Sequence, residues 1–430
     1  MRVCTTYCSA SPLREGSEMH EVRLDAFAKI PDGLTENDLI TMCGKDISLI
    51  PKNFKGLVDT AETDIPMGFR RIRSIHNFEI TPEADDIVKM LSIGDQEISK
   101  GAFMVSSFRD LHSIYRASVK LQRKHVILGM GNTGSVTRIR QNNLNNEFTF
   151  GYADRPTAPG QFSSDEMEDF GDDCVIVGIT GNPLDHSLSP KMQNAAIAKS
   201  GINGTYLRFD SPDVENIDDV IREYDIRGMN VTIPFKQDVT IHMDSLSQRC
   251  KEIGAVNTII NNNGKLHGEN TDVVGIMHAV NLVDGDVKGQ RVLIMGSGGA
   301  ARAAAFAFRE MGCEVSICGR NAGTVERICH DFGVDNDDHT GNKDIVVNCT
   351  PIGLVEGEYP ADIRGMKKDA KVFDMVYGRE TPLTSMADKI GCRIGDGGDM
   401  LVGQGAESFR LWFGKEPDMK VMKETIRCTE

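Results

Sequence analysis

The sequence lacks any apolar run that approaches the roughly 18 residues of a membrane-spanning helix, and it lacks a basic excess. The net charge is −15, whereas proteins that bind nucleic acid usually present a strongly basic face. This charge argues for a soluble protein, although an acidic chain can hold anionic substrates in a locally basic pocket. The first residues, Met1 to Tyr7, are typical of a strand and not of a signal peptide. We therefore expect a cytoplasmic protein with neither a membrane nor a nucleic acid as partner.

Paired cysteines are also missing. Eleven cysteines are scattered without a Cys-x-x-Cys motif, and the closest pairs, Cys4 with Cys8 and Cys313 with Cys318, have no histidine cluster beside them. Reduced thiols that act as small hydrophobic side chains account for this pattern better than disulfides or metal ligands do. We expect free thiols and no metal site.

Aromatic residues are few, at 6%, whereas glycine is frequent, with 43 residues among 430. This composition suits an α/β protein, because glycines punctuate the turns between strands and helices. A chain of this length corresponds to about three domains.

Short apolar segments mark eight candidate strands in the N-terminal part of the chain. They cover residues 2–7, 20–24, 47–50, 56–59, 71–74, 102–105, 125–128 and 148–151, with 39–42 as an alternative for the third. Helical patterns lie at 81–92, where Thr81 and Pro82 suit a helix start, and at 108–124. Eight strands with interleaved helices predict a (β/α)₈ TIM-type barrel. Only about a dozen residues separate the first two strands, so the first half of this barrel is predicted to be short of helices.

An acidic segment at residues 163–173 ends this first region. From residue 174 to about residue 400, strands alternate with helices, which predicts a doubly wound, mostly parallel sheet.

A glycine-rich loop lies between an apolar strand at 291–295 and a helical stretch at 301–311. It consists of Gly296, Ser297, Gly298, Gly299 and Ala300. Glycine lets the backbone turn tightly and approach a pyrophosphate, whose charge then lies at the helix N-terminus. Because the loop has the required strand before it and helix after it, the sequence predicts a Rossmann dinucleotide-binding site.

The next strand of this region ends at Arg320, about twenty residues further along the chain. An acidic residue there would favour the free ribose hydroxyl of NAD, whereas an arginine suits the 2′-phosphate of NADP. We therefore predict NADP as the cofactor. The alternative is that Arg320 is a solvated surface arginine.

Four segments between residues 174 and 274 place polar side chains at strand ends or before helices. The side chains are Ser187, Ser189, Thr232, Lys236, Asn257 and Asp272. Hydroxyls just before a helix N-terminus suit a carboxylate ligand. Taken singly, each residue also has a structural interpretation, as a helix cap, a surface lysine or a turn residue.

Together these segments resemble the shikimate dehydrogenase family. The resemblance covers residues 174–415 and rests on Asn-Val-Thr-Ile-Pro-Phe-Lys ending at Lys236, Gly-Ala-Val-Asn-Thr around Asn257, the glycine-rich loop, Asn-Cys-Thr-Pro-Ile-Gly-Leu from Asn348, Asp-Met-Val-Tyr from Asp374, and Met-Leu-Val-Gly-Gln-Gly-Ala-Glu-Ser-Phe from Met400. It implies reversible hydride transfer between NADPH and the ketone of 3-dehydroshikimate. Two departures are Val273, where many relatives have glycine, and Gly319 and Asn321 on either side of Arg320.

The same resemblance implies roles for individual residues. Lys236 and Asp272 would form the catalytic pair that supplies a proton to the ketone oxygen. Ser187 and Ser189 would bind the substrate carboxylate. The remaining implied residues are Thr232, Asn257 and Gln404 for the substrate and Gly296, Ser297, Gly298, Gly299, Ala300, Arg320, Asn348 and Thr350 for the cofactor.

Charged residues in the N-terminal region are unusual for barrel strands. Glu21, Arg23 and Asp25 alternate along one strand, and inward-facing charges are costly unless they are functional. His76 ends a later strand, and Lys100 stands in an apolar one. A buried lysine is expected to have a lowered pKa and to serve as a nucleophilic amine for imine formation. Alternatively, His76 is a structural histidine and Lys100 points to solvent.

This set resembles type I 3-dehydroquinate dehydratase, a Schiff-base (β/α)₈ enzyme, over residues 1–165. The motifs are Glu-x-Arg-x-Asp, Ser-x-His-x-Phe, the strand lysine, Gly-Ser-Val-Thr-Arg and Thr-Ala-Pro-Gly-Gln. The resemblance implies that Lys100 forms an imine with the ketone of 3-dehydroquinate while His76 shuttles protons. The implied substrate-binding residues are Arg138 for the carboxylate, Thr157 and Gln161 over the hydroxyls, and Glu21 and Arg23 at the pocket floor.

One part of the dehydratase pattern is absent. The third strand of the family ends in an arginine followed by Glu-Gly-Gly, whereas this chain has Met-Cys-Gly from residue 42. A substrate-binding arginine and a carboxylate partner for His76 are therefore unaccounted for. Arg70, Arg71 or Lys45 are the candidates to replace the arginine.

The two resemblances fit together, because the dehydratase product is the dehydrogenase substrate. We therefore predict a bifunctional shikimate-pathway enzyme with a dehydratase-like barrel at 1–168, a substrate domain at 174–274 plus 402–430, and a Rossmann domain at 275–401. Its partners are the small molecules 3-dehydroquinate, 3-dehydroshikimate and shikimate, and a homodimer is compatible with the sequence. Three alternatives remain: a dehydrogenase with an inactive barrel, a non-enzymatic metabolite sensor, and an NAD-dependent quinate or shikimate dehydrogenase.

Overall fold

We describe the protein from a computed structural model that covers residues 1–9, 11–27, 29–61 and 68–427. The chain packs as two compact units: Met1–Asn182 with Asn203–Ile226, and Pro183–Ile202 with Arg227–Glu430. The domain boundaries derived from the sequence stay predictions, since packing units and sequence families need not coincide. The last three residues of the predicted segment 402–430 lie outside the described part of the chain.

The strands alternate with helices along most of the chain. They are β1 Val3–Tyr7, β2 Met19–Arg23, β3 Leu39–Thr41, β4 Leu57–Asp59, β5 Arg70–Asn77, β6 Ile98–Met104, β7 His125–Met130, β8 Thr149–Tyr152, β9 Val175–Gly181, β10 Gly204–Asp210, β11 Ile226–Val231, β12 Ser245–Leu246, β13 Thr258–Asn262, β14 Lys265–Glu269, β15 Arg291–Met295, β16 Glu314–Cys318, β17 Asp335–Asn336, β18 Ile345–Asn348, β19 Lys371–Asp374 and β20 Arg393–Gly395.

The α-helices are on average shorter before residue 180 than after it. They are α1 Ala84–Ser92, α2 Phe108–Lys120, α3 Gly131–Gly134, α4 Val136–Ile139, α5 Ser164–Phe170, α6 Ser189–Lys199, α7 Ile217–Glu223, α8 Gln248–Ile253, α9 Asp272–Val283, α10 Gly299–Glu310, α11 Ala322–Phe332, α12 Pro382–Ile390, α13 Gly397–Phe413 and α14 Met419–Arg427. Among the described residues, none of these helices is both long and apolar enough to cross a bilayer.

The first unit contains the predicted barrel. Strands β1 to β8 are parallel and follow the order β7-β6-β5-β4-β3-β2-β1-β8. β7 and β8 are the two edges of this order. Asn146, three residues before β8, bonds to β7, because its side chain accepts from the Ile127 amide at 2.8 Å and donates to the Ile127 carbonyl at 2.9 Å. One end of the interior is filled by Cys4, Met19, Leu39, Leu57, Ile72, Ile98, Val126, Leu128, Phe148 and Phe150.

The barrel confirms the predicted shortage of helices and corrects two details. No α-helix occurs in the described residues between β1 and β5. The third strand is β3, and the segment first assigned to it forms a short 3₁₀ helix, Ile47–Leu49. Thr81 does not cap α1: Glu83 holds the N-cap position, and the Thr81 hydroxyl donates to the Met104 carbonyl at 2.6 Å.

The first unit also includes β9, β10 and α7, which follow the barrel in sequence. β9 and β10 pair in parallel along their full lengths. In the second unit, β13 pairs antiparallel with both β11 and β14, and β12 pairs parallel with β14. The Rossmann sheet that follows is parallel throughout, in the order β17-β16-β15-β18-β19-β20.

Alanines shape the core of the Rossmann region. Helix α10 buries Ala301, Ala303, Ala304, Ala305 and Ala307, which join the apolar residues of β15, β16 and β18 in one cluster. Small side chains let this helix approach the sheet closely, so its N-terminus lies directly after the carboxyl end of β15.

Candidate active sites

An ion pair forms the centre of the site in the second unit. Lys236 follows β11 by a short turn, and Asp272 is the first residue of α9. The Lys236 Nζ atom lies 2.5 Å from Asp272 Oδ2, and Asp272 is 3% exposed. Both predicted catalytic residues therefore meet in a largely buried position, where an ion pair is screened little by water.

Asn257 orients the carboxylate of this pair. Its side-chain nitrogen Nδ2 donates to Asp272 Oδ1 at 2.8 Å, and its side-chain oxygen Oδ1 accepts from the Thr271 backbone amide at 2.7 Å. Both oxygens of Asp272 are thus engaged, one by Asn257 and the other by Lys236. Asn257 was predicted to line the substrate pocket, and the structure also gives it this supporting position.

A group of hydroxyls lies behind Asn257 that the sequence analysis missed. Ser408 of α13 lies 3.0 Å from the Thr258 hydroxyl and 3.1 Å from the Thr271 hydroxyl, and it accepts from Asn230 at 3.0 Å. Ser408 falls inside the motif that starts at Met400, but only the contact between distant elements reveals its role. Gln404, one turn earlier, accepts from Thr271 at 3.5 Å.

Ser187 and Ser189 lie together at the start of α6, as predicted. The Ser189 amide donates to Ser187 Oγ at 3.4 Å. The Tyr377 hydroxyl hydrogen-bonds Ser187, and burial raises the pKa of Tyr377. Tyr377 was recognised only as part of a motif, and the structure adds it to this hydroxyl group. Thr232 is half-buried in the turn before Lys236, where its carbonyl accepts from the Phe235 amide at 3.0 Å.

The glycine-rich loop is open and adjoins the ion pair. Gly296 has φ of +123°, a conformation that favours glycine, and Gly298 is the N-cap of α10 without a capping side chain. The first amides of α10 are therefore free to bind an anion. A Cβ on Gly299 would lie 3.2 Å from Lys236 Cδ, so the loop and the lysine are direct neighbours. Ser297 and Ala300 flank these glycines.

The side chains predicted to meet the rest of a dinucleotide differ in exposure. Arg320, after β16, is exposed, and Asn321 beside it caps α11 by accepting from the Thr324 amide. Asn348 is buried, donates to Asp374 at 2.8 Å and accepts from the Thr350 hydroxyl at 2.6 Å. Asn348 and Thr350 therefore fix the loop that passes beside Gly296. An exposed arginine and uncapped helix amides together fit an NADP phosphate and pyrophosphate.

Lys100 is buried inside the barrel among carboxylates. Its Nζ atom lies 3.2 Å from Asp59 Oδ2 and 4.4 Å from the centre of the Phe150 ring. Burial acts to lower the pKa of Lys100, but the carboxylates of Asp59 and Glu21 outweigh it, so the pKa is raised. The expectation of a lowered pKa was wrong because the sequence did not reveal that Asp59, at the end of β4, faces this lysine.

Glu21 and Arg23 stand on β2 in different surroundings. Glu21 is 4% exposed and accepts hydroxyl hydrogen bonds from Thr6 and Thr41, each at 2.6 Å. Arg23 reaches the rim, where it pairs with Asp25 at 3.0 Å. Glu21 lies deep in the barrel, whereas Arg23 and Asp25 lie at its open end.

His76 is the second-last residue of β5, at the open end of the barrel. Its ring stacks on Phe78 with centroids 6.1 Å apart. Desolvation lowers the pKa of His76, and the charge of Lys100 lowers it further. Among the described residues, no carboxylate hydrogen-bonds His76. A largely neutral imidazole at this place can both accept and donate a proton near neutral pH.

Arg138 is a buried cation that forms no ion pair with the described residues. It is 3% exposed, its Nε atom has no partner among the described residues, and burial lowers its pKa to about 10. A buried guanidinium without a carboxylate is costly, and an anionic ligand would relieve that cost. At the rim, Thr157 and Gln161 bond to each other, with Gln161 Oε1 accepting from the Thr157 amide at 2.7 Å.

A cavity of about 310 Å³ at the rim is lined by two guanidinium groups, those of Arg23 and Arg155. Its lining consists of Cys8, Arg23, Asp25, Ala26, Arg155, Pro156 and Thr157. Arg70 and Arg71 begin β5 at the opposite end of the strand and pair with Glu97 and Asp95. Since the active sites of such barrels lie at the carboxyl ends of the strands, Arg155 is better placed than either of them.

Three family models match the chain. Type I 3-dehydroquinase matches residues 52–170, the shikimate dehydrogenase substrate binding domain matches 179–259, and the shikimate 5′-dehydrogenase C-terminal domain matches 397–427. The matched segments contain both lysines, whereas Asp272, Glu21, Arg23 and the predicted cofactor residues between Gly296 and Thr350 lie outside them.

Relatives and solved structures agree with these models. The shikimate dehydrogenase (NADP(+)) of Pyrococcus abyssi is 36% identical over 255 residues, which are 58% of this chain and 96% of the relative. That of Pyrococcus furiosus is 38% identical and covers 58% of this chain and 93% of the relative. The shikimate 5-dehydrogenase from Thermus thermophilus in complex with NADP(H) and shikimate is 33% identical, with a TM-score of 0.55 over 59% of this chain and 98% of that one.

A dehydrogenase with a different name is also similar. The quinate dehydrogenase from Corynebacterium glutamicum in complex with NAD is 30% identical, with a TM-score of 0.55 and the same coverage of 59% and 98%. The curated relatives account for the second part of the chain, and the 3-dehydroquinase model accounts for much of the first. The chain therefore belongs to the shikimate dehydrogenase family and carries a type I 3-dehydroquinase domain ahead of its dehydrogenase region.

Proposed function

We propose that this chain catalyses two consecutive reactions, the dehydration of 3-dehydroquinate to 3-dehydroshikimate and the NADPH-dependent reduction of 3-dehydroshikimate to shikimate. The observation that carries the proposal is the presence of two different lysine sites in one chain. Lys100 is buried beside Asp59 in the barrel, and Lys236 is paired with Asp272 beside the glycine-rich loop. Ten described cysteines carry free thiols, which supports a cytoplasmic location.

The barrel would work through an imine. The neutral amine of Lys100 attacks the ketone carbon, and loss of water leaves a carbon–nitrogen double bond. His76 removes the proton from a neighbouring C–H bond, and the protonated imine accepts the electron pair of that bond. That pair then expels hydroxide from the next carbon, and His76 supplies the proton that turns the hydroxide into water. Hydrolysis of the product imine restores the amine.

Charge placement around Lys100 supports this route. Asp59 can accept the proton that the ammonium must lose, and with Glu21 it stabilises the positive charge of the protonated imine. Arg138 would bind the substrate carboxylate, because its guanidinium has no anionic partner in the described chain. Arg23 and Arg155 would meet the substrate at the rim, and the Thr157–Gln161 segment would close over its hydroxyls.

The second site would reduce the ketone. NADPH, when bound, supplies the hydride. The Lys236 ammonium hydrogen-bonds the ketone oxygen and donates a proton to it as the carbonyl becomes an alcohol. Asp272 holds that lysine at 2.5 Å, and Asn257 holds the aspartate, so the donor is oriented before the substrate arrives.

The other polar groups of the second site would bind the substrate and the cofactor. Ser187 and Ser189 would bind the substrate carboxylate, with Tyr377 adding a hydroxyl. Thr232, Asn257 and Gln404 would contact ring hydroxyls. The glycine-rich loop would bind the pyrophosphate and Arg320 the 2′-phosphate, while Asn348 and Thr350 would support the loop beside the nicotinamide.

The test supplies purified full-length protein with 3-dehydroquinate and NADPH and follows NADPH oxidation and shikimate formation. 3-Dehydroshikimate serves as a parallel substrate. We expect turnover from both substrates, and we expect Lys100→Ala to abolish turnover from 3-dehydroquinate alone. Turnover from 3-dehydroshikimate only, in the unaltered protein, would refute the dehydratase half. Turnover with NADH equal to that with NADPH would refute the cofactor assignment.

A further inference from the structure

Residues 131–140, here called the bridging segment, follow the carboxyl end of β7 and contain α3 and α4. The segment carries Arg138, which is 3% exposed and whose Nε atom has no partner among the described residues. Thr137 ties the segment to β7, since its hydroxyl accepts from the Gly129 amide at 2.9 Å. The direction of the Arg138 guanidinium therefore depends on how the bridging segment is held.

The start of the bridging segment is held by β10, a strand outside the barrel. Asn132 Nδ2 donates to Asp210 Oδ2 at 3.0 Å, and the Thr133 hydroxyl donates to the Asp210 carbonyl at 2.7 Å. Asp210 is the last residue of β10. Both anchors lie within the first compact unit, yet β10 falls in the sequence matched by the shikimate dehydrogenase substrate binding domain.

The end of the bridging segment is held by a buried arginine. Arg140 donates from Nε to the Tyr224 carbonyl at 2.9 Å, and from Nη2 to the Cys174 carbonyl at 2.9 Å and the Asp225 carbonyl at 3.2 Å. It is 7% exposed. Tyr224 and Asp225 follow α7, where unpaired carbonyls of a helix end attract a cation.

A third contact links the segment to the rim of the barrel. The Gly131 amide donates to the Pro159 carbonyl at 3.0 Å. Gly160 packs so closely on Gly131 that there is no room for a Cβ between them. Pro159 and Gly160 lie between Thr157 and Gln161, so the rim residues and Arg138 share one support.

We propose that Asn132, Thr133 and Arg140 are positioning residues for the dehydratase reaction. By anchoring the bridging segment to β10 and the end of α7, they aim Arg138 at the substrate carboxylate and fix the rim beside it. Two elements of the dehydrogenase sequence, β10 and α7, thus support the barrel from outside. The inference rests on the proposed role of Arg138 and adds that the barrel site is completed by residues beyond the barrel.

The test compares full-length variants that weaken the anchors with one that does not touch them. Asn132→Ala combined with Thr133→Val removes the Asp210 anchors, and Arg140→Met removes the α7 anchor, with Arg140→Lys as the conservative replacement. Asn143→Ala is the matched control, because Asn143 donates to the Glu223 carbonyl at 2.8 Å but lies outside the segment. Each variant is assayed for 3-dehydroquinate turnover and, in the same preparation, for shikimate oxidation with NADP.

We expect the anchor variants to raise the KM for 3-dehydroquinate by about tenfold while kcat changes by less than about threefold, since carboxylate binding is uniform between substrate and transition state. Arg140→Lys should recover part of the loss, and Asn143→Ala and shikimate oxidation should be unchanged. An unchanged KM in both anchor variants would overturn the inference, as would an equal loss of both activities.

A binding measurement separates this inference from the proposed function. Calorimetry follows 3-dehydroquinate binding to each variant with shikimate present to fill the dehydrogenase site. If the unaltered protein binds 3-dehydroquinate without converting it, the dehydratase proposal fails, and the anchor variants still test the inference through the Kd. If Arg138→Met leaves the Kd unchanged, the inference fails even where turnover is normal.

Discussion

The two lysines of this protein differ in the number of carboxylates around them. Lys236 faces one carboxylate, Asp272, so the pair is neutral in sum. Lys100 is buried near two carboxylates, Asp59 and Glu21, which raise its pKa. In the proposed reactions, Lys236 acts as a proton donor and needs its charge, whereas Lys100 must lose its proton to act as a nucleophile.

In the proposed mechanism, a raised pKa is compatible with a nucleophilic role for Lys100. The imine of Lys100 is a cation for most of the reaction, and the carboxylates that hold the ammonium also hold the protonated imine. The two carboxylates slow the attack by the amine, because they stabilise the ammonium form of Lys100. They favour the later steps, because they stabilise the protonated imine. Lys236 needs no such surplus of negative charge, because its positive charge is present from the start and disappears as the proton moves.

The largest expected effect tests the dehydrogenase side of this comparison. Lys236→Met removes the group that exchanges a proton with the substrate oxygen, and we expect kcat for shikimate oxidation to fall by about 10²–10⁴-fold, the usual range for general acid–base groups. Dehydration of 3-dehydroquinate should be unchanged. Lys251→Met, at an exposed lysine of α8, is the control and should leave both rates unchanged. A fall of less than about fivefold in the Lys236 variant would contradict the role given to this pair.

The next effect concerns the cofactor and has no counterpart in the barrel. Arg320→Glu places a negative charge where the 2′-phosphate would bind, and like charges at a binding site are strongly unfavourable. We expect the ratio of kcat/KM for NADP to that for NAD to fall by about 10–100-fold, which is about 1.4–2.7 kcal/mol. Arg327→Glu, on the neighbouring helix, should change the ratio little. An unaltered ratio for the Arg320 variant would mean that other groups select the phosphate.

The two regions also differed in how far the sequence could predict them. In the dehydrogenase region, short motifs around Lys236 and Asn257 named the residues that the structure brings together. Those motifs are continuous in sequence, so each one fixes a local turn and its side chains. Ser408 was missed because its importance comes from packing α13 against Thr258 and Thr271, which no local pattern records.

The barrel was harder to predict because its contacts are between strands. The third strand was assigned to the wrong apolar segment, since Leu39–Thr41 is only three residues long. The position of Asp59 next to Lys100 depends on strand order, so the direction of the lysine pKa shift could not be obtained from either residue alone. The expected helix cap at Thr81 failed because its hydroxyl is drawn to the Met104 carbonyl of β6.

A smaller effect is expected on the pH dependence of imine formation at Lys100. Asp59→Asn removes a carboxylate that raises the pKa of Lys100, so that pKa should fall. Because only the neutral amine attacks the ketone, the rise of imine formation with increasing pH should move to lower pH, as measured by borohydride trapping. At pH values above this rise, turnover should be slower than in the unaltered protein, since the protonated imine loses a counter-charge.

Ser74→Ala is the control for this experiment. The Ser74 hydroxyl donates to Asp59, so the variant alters the hydrogen bonding of the carboxylate but keeps its charge. The pH profile should move much less than in Asp59→Asn. A profile displaced to higher pH in Asp59→Asn would contradict the electrostatic account of Lys100.

The smallest effect is expected in the group of hydroxyls behind Asn257, where several hydrogen bonds support the same residues. Ser408→Ala removes one hydroxyl from the group behind Asn257, and we expect a loss of about 1 kcal/mol in the free energy of unfolding, measured by urea denaturation. The loss stays small because Asn230 keeps an acceptor in the Thr258 hydroxyl at 3.1 Å. The kcat for shikimate oxidation should change by less than about threefold, since Asn257 still holds both Asp272 and the Thr271 amide. A loss of kcat as large as that of Lys236→Met would show that Asp272 is oriented by the whole hydroxyl group and not by Asn257 alone.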